Sequence, residues 1–83
     1  MEFVERKAHP AAPPEERLLG TFDDETMAVE VARQARVAFD HPEDYAWWLV
    51  REAGATMARW IADSHTGKEF ALDIRSGELV EVR

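Results

Sequence analysis

The sequence predicts an α+β domain in which one amphipathic helix packs on a four-stranded antiparallel meander. Two observations carry that reading. Turn signals at His65-Thr66-Gly67-Lys68 and Arg75-Ser76-Gly77-Glu78 separate three short apolar runs, residues 58–62, 70–74 and 79–82. Their spacing of about ten residues is that of consecutive hairpins, with Gly at the position that needs positive φ. Upstream, apolar residues recur at helical spacing from Met27 to Phe39.

Taken in order, residues 1–16 carry His9-Pro10-Ala11-Ala12-Pro13-Pro14 followed by Glu15-Glu16. Pro removes a backbone donor and pushes its predecessor out of the helical region, so this stretch reads as a flexible arm docked at most through Phe3-Val4. Residues 17–83 then form the single α+β domain. The short apolar run Arg17 to Phe22 leads to Asp23, a natural N-cap, with Asp24 and Glu25 at the positive end of the helix dipole. Phe22 and Met27 stand where a hydrophobic staple would form. Met27, Ala28, Val31, Ala35, Ala38 and Phe39 fall within about 120° of a helical wheel, which places a helix over residues 24–39.

Residues 42–53 admit two readings. Pro42 and Ala53-Gly54 would mark a helix start and end, whereas Tyr45-Ala46-Trp47-Trp48-Leu49-Val50 is aromatic and rich in strand formers. Strand is favoured, giving strands over 45–51, 56–62, 68–74 and 78–82. Along the third, Phe70, Leu72 and Ile74 share one face and Glu69, Ala71, Asp73 and Arg75 the other, a pattern of one-sided burial. Adjacent Trp47 and Trp48 must then place one indole on each face of the sheet.

Composition bounds the rest. The chain has 83 residues, 46% hydrophobic, with three Trp and four Phe, enough for one core and too much for global disorder. It has no cysteine, which excludes a disulfide framework, a thiolate metal site and a cysteine nucleophile. The net charge is −7, and residues 1–44 hold eleven acids against five bases. Without a basic patch to neutralise phosphates, direct nucleic-acid binding is not expected. No apolar run approaches the roughly 18 residues of a membrane span, so no membrane partner is expected. Residues 1–5 lack the basic and apolar regions of a secretory signal, which makes the cytoplasm the expected location.

Residues 58–82 resemble the end of a PepSY domain, where a strand, a turn and a second strand lead into a pattern close to V-D-A-x-T-G-x-V. The matching residues are Leu72-Asp73-Ile74-Arg75-Ser76-Gly77-Glu78-Leu79, and the Ala- and Val-rich stretch Thr26 to Ala35 is similar to that family's opening helix. The resemblance implies restraint of peptidases and regulation outside the cytoplasm. The missing secretory signal departs from that pattern, and no family binding residue maps onto this chain.

Candidate chemistry is sparse. His9, His41 and His65 lie far apart, beside Pro or in a turn, without metal-ligand spacing. The carboxylate pairs Glu15-Glu16, Asp23-Asp24 and Glu43-Asp44 fall in expected loops or a helix cap rather than a cleft. Ser64 and Ser76 belong to turns, and the four glycines are isolated, so no nucleophile elbow or phosphate loop is present. No catalytic residue, metal or cofactor is assigned, and an enzyme is not expected. The aromatic set Tyr45, Trp47, Trp48 and Trp60 stands out, because a large ring left at a surface anchors interfaces. One helix covers only one face of a sheet, so these residues are the expected partner-binding set. The expectation is a non-enzymatic protein-interaction or regulatory module, a homodimer through its Trp-bearing sheet face. Two alternatives stand beside it. One is an acidic inhibitor or decoy presenting the acids of residues 15–44 to a basic protein; the other is a ligand-binding domain with an aromatic pocket between helix and sheet.

Overall fold

Alternation along Tyr45-Ala46-Trp47-Trp48-Leu49-Val50-Arg51 sends every second side chain to the same side, and this run is a strand. The computed structural model describes residues 1–9, 12–40, 45–55 and 57–82. In chain order the elements are β1 (Glu2–His9), β2 (Ala12–Thr21), α1 (Glu25–Ala38), β3 (Tyr45–Arg51), β4 (Trp60–Asp63), β5 (Glu69–Asp73) and β6 (Glu78–Glu81). The strands form one six-stranded sheet of order β2-β1-β3-β4-β5-β6, with every neighbouring pair antiparallel. The α+β class stands, but the four-stranded meander is corrected. β3 to β6 do form a meander, and Gly67 and Gly77 take φ of 72° at its last two turns. A second hairpin, β1-β2, extends it on the far side of β3.

That hairpin comes from the stretch expected as an arm. β1 is not an edge: it is paired on both sides, Val4 standing opposite Leu18 of β2 and Leu49 of β3. Proline did not prevent this because Pro13 and Pro14 sit on β2, an outer strand, where a missing donor can face away from the sheet. They also fall within a register shift between the Lys7–Glu15 and His9–Ala12 pairs, where a bulge has already interrupted the ladder.

The helix starts one residue later than expected. Asp24, not Asp23, is the N-cap, its Oδ1 accepting from the Thr26 amide at 2.9 Å. The shift moves Met27 off the staple position, and its side chain is exposed, while Phe22 packs against the core. A helix is about 10 Å across and strands lie about 4.8 Å apart, so one helix covers two or three strands. α1 lies over β3 and reaches β1 and β4 at its flanks. Buried Ala28 and Ala32 bring it close, and the space between alanines is filled by Trp48, Val50 and Trp60 from the sheet. Phe39, just past the helix, meets the Trp48 ring edge-on at 5.2 Å. Among the described residues no helix is long and apolar enough to cross a membrane.

β5 is phased opposite to the expectation. Ala71, not Phe70 or Leu72, faces the helix side, directly opposite buried Trp60. An indole beneath the helix leaves room for only a small neighbour, so the bulky face of β5 turns away. Ile74 lies beyond the strand and is exposed. The first strand, by contrast, is well buried: Phe3 and Val4 are buried. Phe3→Ala is therefore expected to cost about 3–5 kcal/mol, and deletion of residues 1–14 to abolish cooperative unfolding, both checked by urea denaturation.

Candidate interaction surface

Residues opposite one another on antiparallel strands share a face, so the register builds the surface away from α1 row by row. Leu18, Val4, Leu49, Ile61 and Phe70 stand directly opposite one another across β2, β1, β3, β4 and β5. Leu72 and Leu79 form the next pair toward the outer edge. Trp47 stands beside this row, between Arg6 on β1 and Asp63 on β4. Among the described residues no helix or strand lies over this face.

Its two halves are treated differently. Val4 is 0% and Leu49 2% exposed although nothing in the secondary structure covers them. Over Val4 the cover is an ion-pair strap. Arg51 on β3 bonds Glu2 on β1 at 3.2 Å and Glu16 on β2 at 3.1 Å, and Arg6 closes the loop with Glu16 at 2.8 Å. The Arg51–Glu16 bond crosses β1 between Glu2 and Arg6, which is the position of Val4. The hydrogen bond from Arg6 holds the Glu16 carboxyl below the usual carboxylate range.

On the other half Trp47, Ile61, Phe70 and Leu72 are half-buried with no such strap, and Leu79 is exposed. A hollow of about 160 Å³ opens beside the Trp47 ring, lined by Ile61, Asp63 and Phe70. Tyr45 stacks obliquely on Trp47 with centroids 4.4 Å apart, and His65 lies 4.3 Å from the Tyr45 ring. The Tyr45 hydroxyl donates to Asp63 Oδ2 at 3.1 Å. Burial, then that bond, pushes the hydroxyl pKa up. Burial pushes the Asp63 carboxyl up as well, but donors from Thr66, Tyr45 and His65 outweigh it and hold the pKa low. Asp63 thus fixes both the aromatic stack and the β4-β5 turn.

The expected aromatic set therefore divides. Tyr45 and Trp47 belong to the open face; Trp48 and Trp60 lie under the helix and present no ring at the surface. Each buried indole N–H has a carboxylate acceptor: Trp48 donates to Glu5 Oε2 and Trp60 to Glu69 Oε1, both at 3.0 Å. Phe70 and Leu72 complete the surface, although their alternation alone places them in the core. Their phase against Trp60 decides, and that is set by strand pairing. Ser64 accepts from the Ala46 amide at 3.1 Å and Asp24 caps the helix, both structural uses. His41 and the Glu43-Asp44 pair lie outside the described residues. Among the described residues no three His, Asp or Glu side chains are grouped to hold a metal ion. Comparison with known protein families, curated proteins and solved structures found no match, so the functional reading rests on the geometry of this chain.

Two outcomes follow from the buried indoles. Glu5→Ala strands the Trp48 N–H in the core and is expected to cost about 1–3 kcal/mol by chemical denaturation. The bond from Arg33, helped by Trp60, holds the Glu69 pKa low despite burial. A carboxylate with a lowered folded pKa contributes stability above its unfolded pKa, near about 4.3, and loses it as pH falls through the folded value. Stability measured against pH should therefore show the gap between wild type and Glu69→Gln shrinking below pH about 4.

Proposed function

We propose that this domain is a non-enzymatic protein-interaction module that docks a second copy of itself through the open-face patch around Trp47. The observation that carries the reading is the pairing of a ridge with a hole on one uncovered surface. The half-buried Trp47 ring stands beside a hollow lined by Ile61 and Phe70. In a two-fold contact the same patch serves both copies, so a ring and a hollow side by side are self-complementary. An aromatic anchor entering a pocket is also the usual centre of an interface.

Charge supports the same occupant. Two chains of net charge −7 repel at long range, but Arg6, Arg51, Glu2 and Glu16 on this face are already bonded to one another, and Asp63 is bonded to Tyr45. The apolar side chains beside them associate through burial, which salt does not screen. About 800 Å² per partner is the area of a standard interface.

Light scattering over a concentration range should show a dimer that persists in about 0.5 M salt, where screening acts within about 5 Å. Trp47→Ser should give a monomer that still unfolds cooperatively, since this ring lies outside the core beneath α1. A wild-type monomer at about 1 mM, or a Trp47→Ser dimer of unchanged affinity, would overturn the reading.

A further inference from the structure

The two outer strands of the sheet are finished differently. β2 carries Pro13 and Pro14 and two register shifts, features that blunt an edge against further pairing. β6 has neither. Its register with β5 runs without interruption from Asp73–Glu78 to Phe70–Glu81, and it contains no proline. The Val82 amide donates to the Glu69 carbonyl at 2.8 Å. Backbone bonding alternates along an antiparallel strand, so residues 78 and 80 also bond toward β5, and Leu79 and Glu81 aim their N–H and C=O groups outward. Four backbone groups in a row thus await a strand.

The side chains around that edge state its preference. Val80 is 51% and Val82 40% exposed, beyond the reach of α1, and Leu79 is exposed on the other face. Glu2, Glu5, Glu16 and Glu69, on the other strands, are all held in ion pairs. Glu78 and Glu81 make none among the described residues, and Glu78 stands directly opposite Asp73, a second acid. A second copy at this edge would add its own Glu78, Glu81 and Asp73 to the same place, and like charges across a ladder destabilise it.

We propose that β6 is a strand-addition site for an extended segment of a partner protein, with basic residues opposite Glu78 and Glu81 and apolar residues opposite Leu79, Val80 and Val82. Main-chain bonds to Leu79 and Glu81 supply affinity, and the alternating side chains supply selectivity. Read antiparallel to β6, the segment runs apolar, basic, apolar, apolar, basic. The added strand would lie on the outer side of β6, three strand positions from Trp47 on β3, with Leu79 bordering both sites.

The test uses the full chain and an end-blocked peptide Gly-Val-Lys-Val-Leu-Lys-Gly, followed by amide exchange and heteronuclear NMR. Binding should slow exchange at the Leu79 and Glu81 amides at least about tenfold, leave the Trp47 indole signal in place, and weaken with salt. Glu81→Pro removes an outward donor where an outer strand tolerates proline, and should weaken binding at least about tenfold. Glu81→Lys should reverse the preference at the facing position, toward the peptide carrying Glu in place of its first Lys alone. The proposal falls if about 1 mM peptide protects neither amide, or if the Glu-bearing peptide binds wild type equally well. It also falls if the peptide perturbs Trp47 and Ile61 instead, or if Leu79 and Glu81 become protected with protein concentration alone, the sign of self-pairing.

Discussion

The burial of two indoles beneath one alanine-rich helix is the constraint from which the rest of this fold follows. A Trp ring brings a large apolar area and one N–H that must find an acceptor when buried. Trp48 finds Glu5 on β1, and Glu5 is itself kept in place by Lys7 at 3.6 Å and Arg17 of β2 at 3.7 Å. Trp60 finds Glu69 on β5, which Arg33 of the helix grips at 2.8 Å. Each bond ties a strand beneath the helix to its neighbour in the sheet. Between them the helix needs small contact residues, which Ala28, Ala32, Ala46 and Ala62 provide.

With the helix committed to that side, the other face of the sheet is left to side chains. The half formed by β2, β1 and the end of β3 solves this with charge: the Arg51–Glu16 bond closes over Val4, and every ion in the strap has a partner. Among the described residues the half formed by β4 to β6 has no equivalent device: Asp63 is occupied by Tyr45 and by the turn it caps, and Glu81, opposite Phe70, makes no ion pair. The same contrast recurs at the edges, proline and bulges on β2 against an unbroken ladder on β6. Both features therefore lie in the β3–β6 half of the molecule, on consecutive paired strands. A partner on the face and a partner on the edge would be presented side by side.

Much of this was legible residue by residue. The span of β3 matches its aromatic run, because Tyr, Trp and Val suit a pleated surface and outweigh the helix-boundary signals at Pro42 and Ala53-Gly54. The turns at Gly67 and Gly77 follow from positive φ, a purely local demand. Opposite facing of Trp47 and Trp48 follows from a period of two. The N-terminal hairpin was not legible, since Pro13 and Pro14 argue against a strand unless the strand is known to be outermost, and only the finished sheet says so. The assignment of Phe70 and Leu72 failed for a related reason. Their alternation identifies an apolar face but not which side the helix will take.

The sequence by itself therefore determined the α+β class of the domain, the helix, the glycine turns at Gly67 and Gly77 and the presence of one indole on each side of β3. These depend on φ preferences and on periodicity, which act within a few residues. The tertiary structure alone decided that β1 sits between β2 and β3, that Trp48 and Trp60 are core while Trp47 is half-buried on the other face, and that β6 is an outer strand. Those outcomes depend on which strand pairs with which and on where one helix, about two strands wide, comes to rest. Both are settled by contacts between residues such as Trp48 and Glu5, 43 positions apart, which no local pattern encodes.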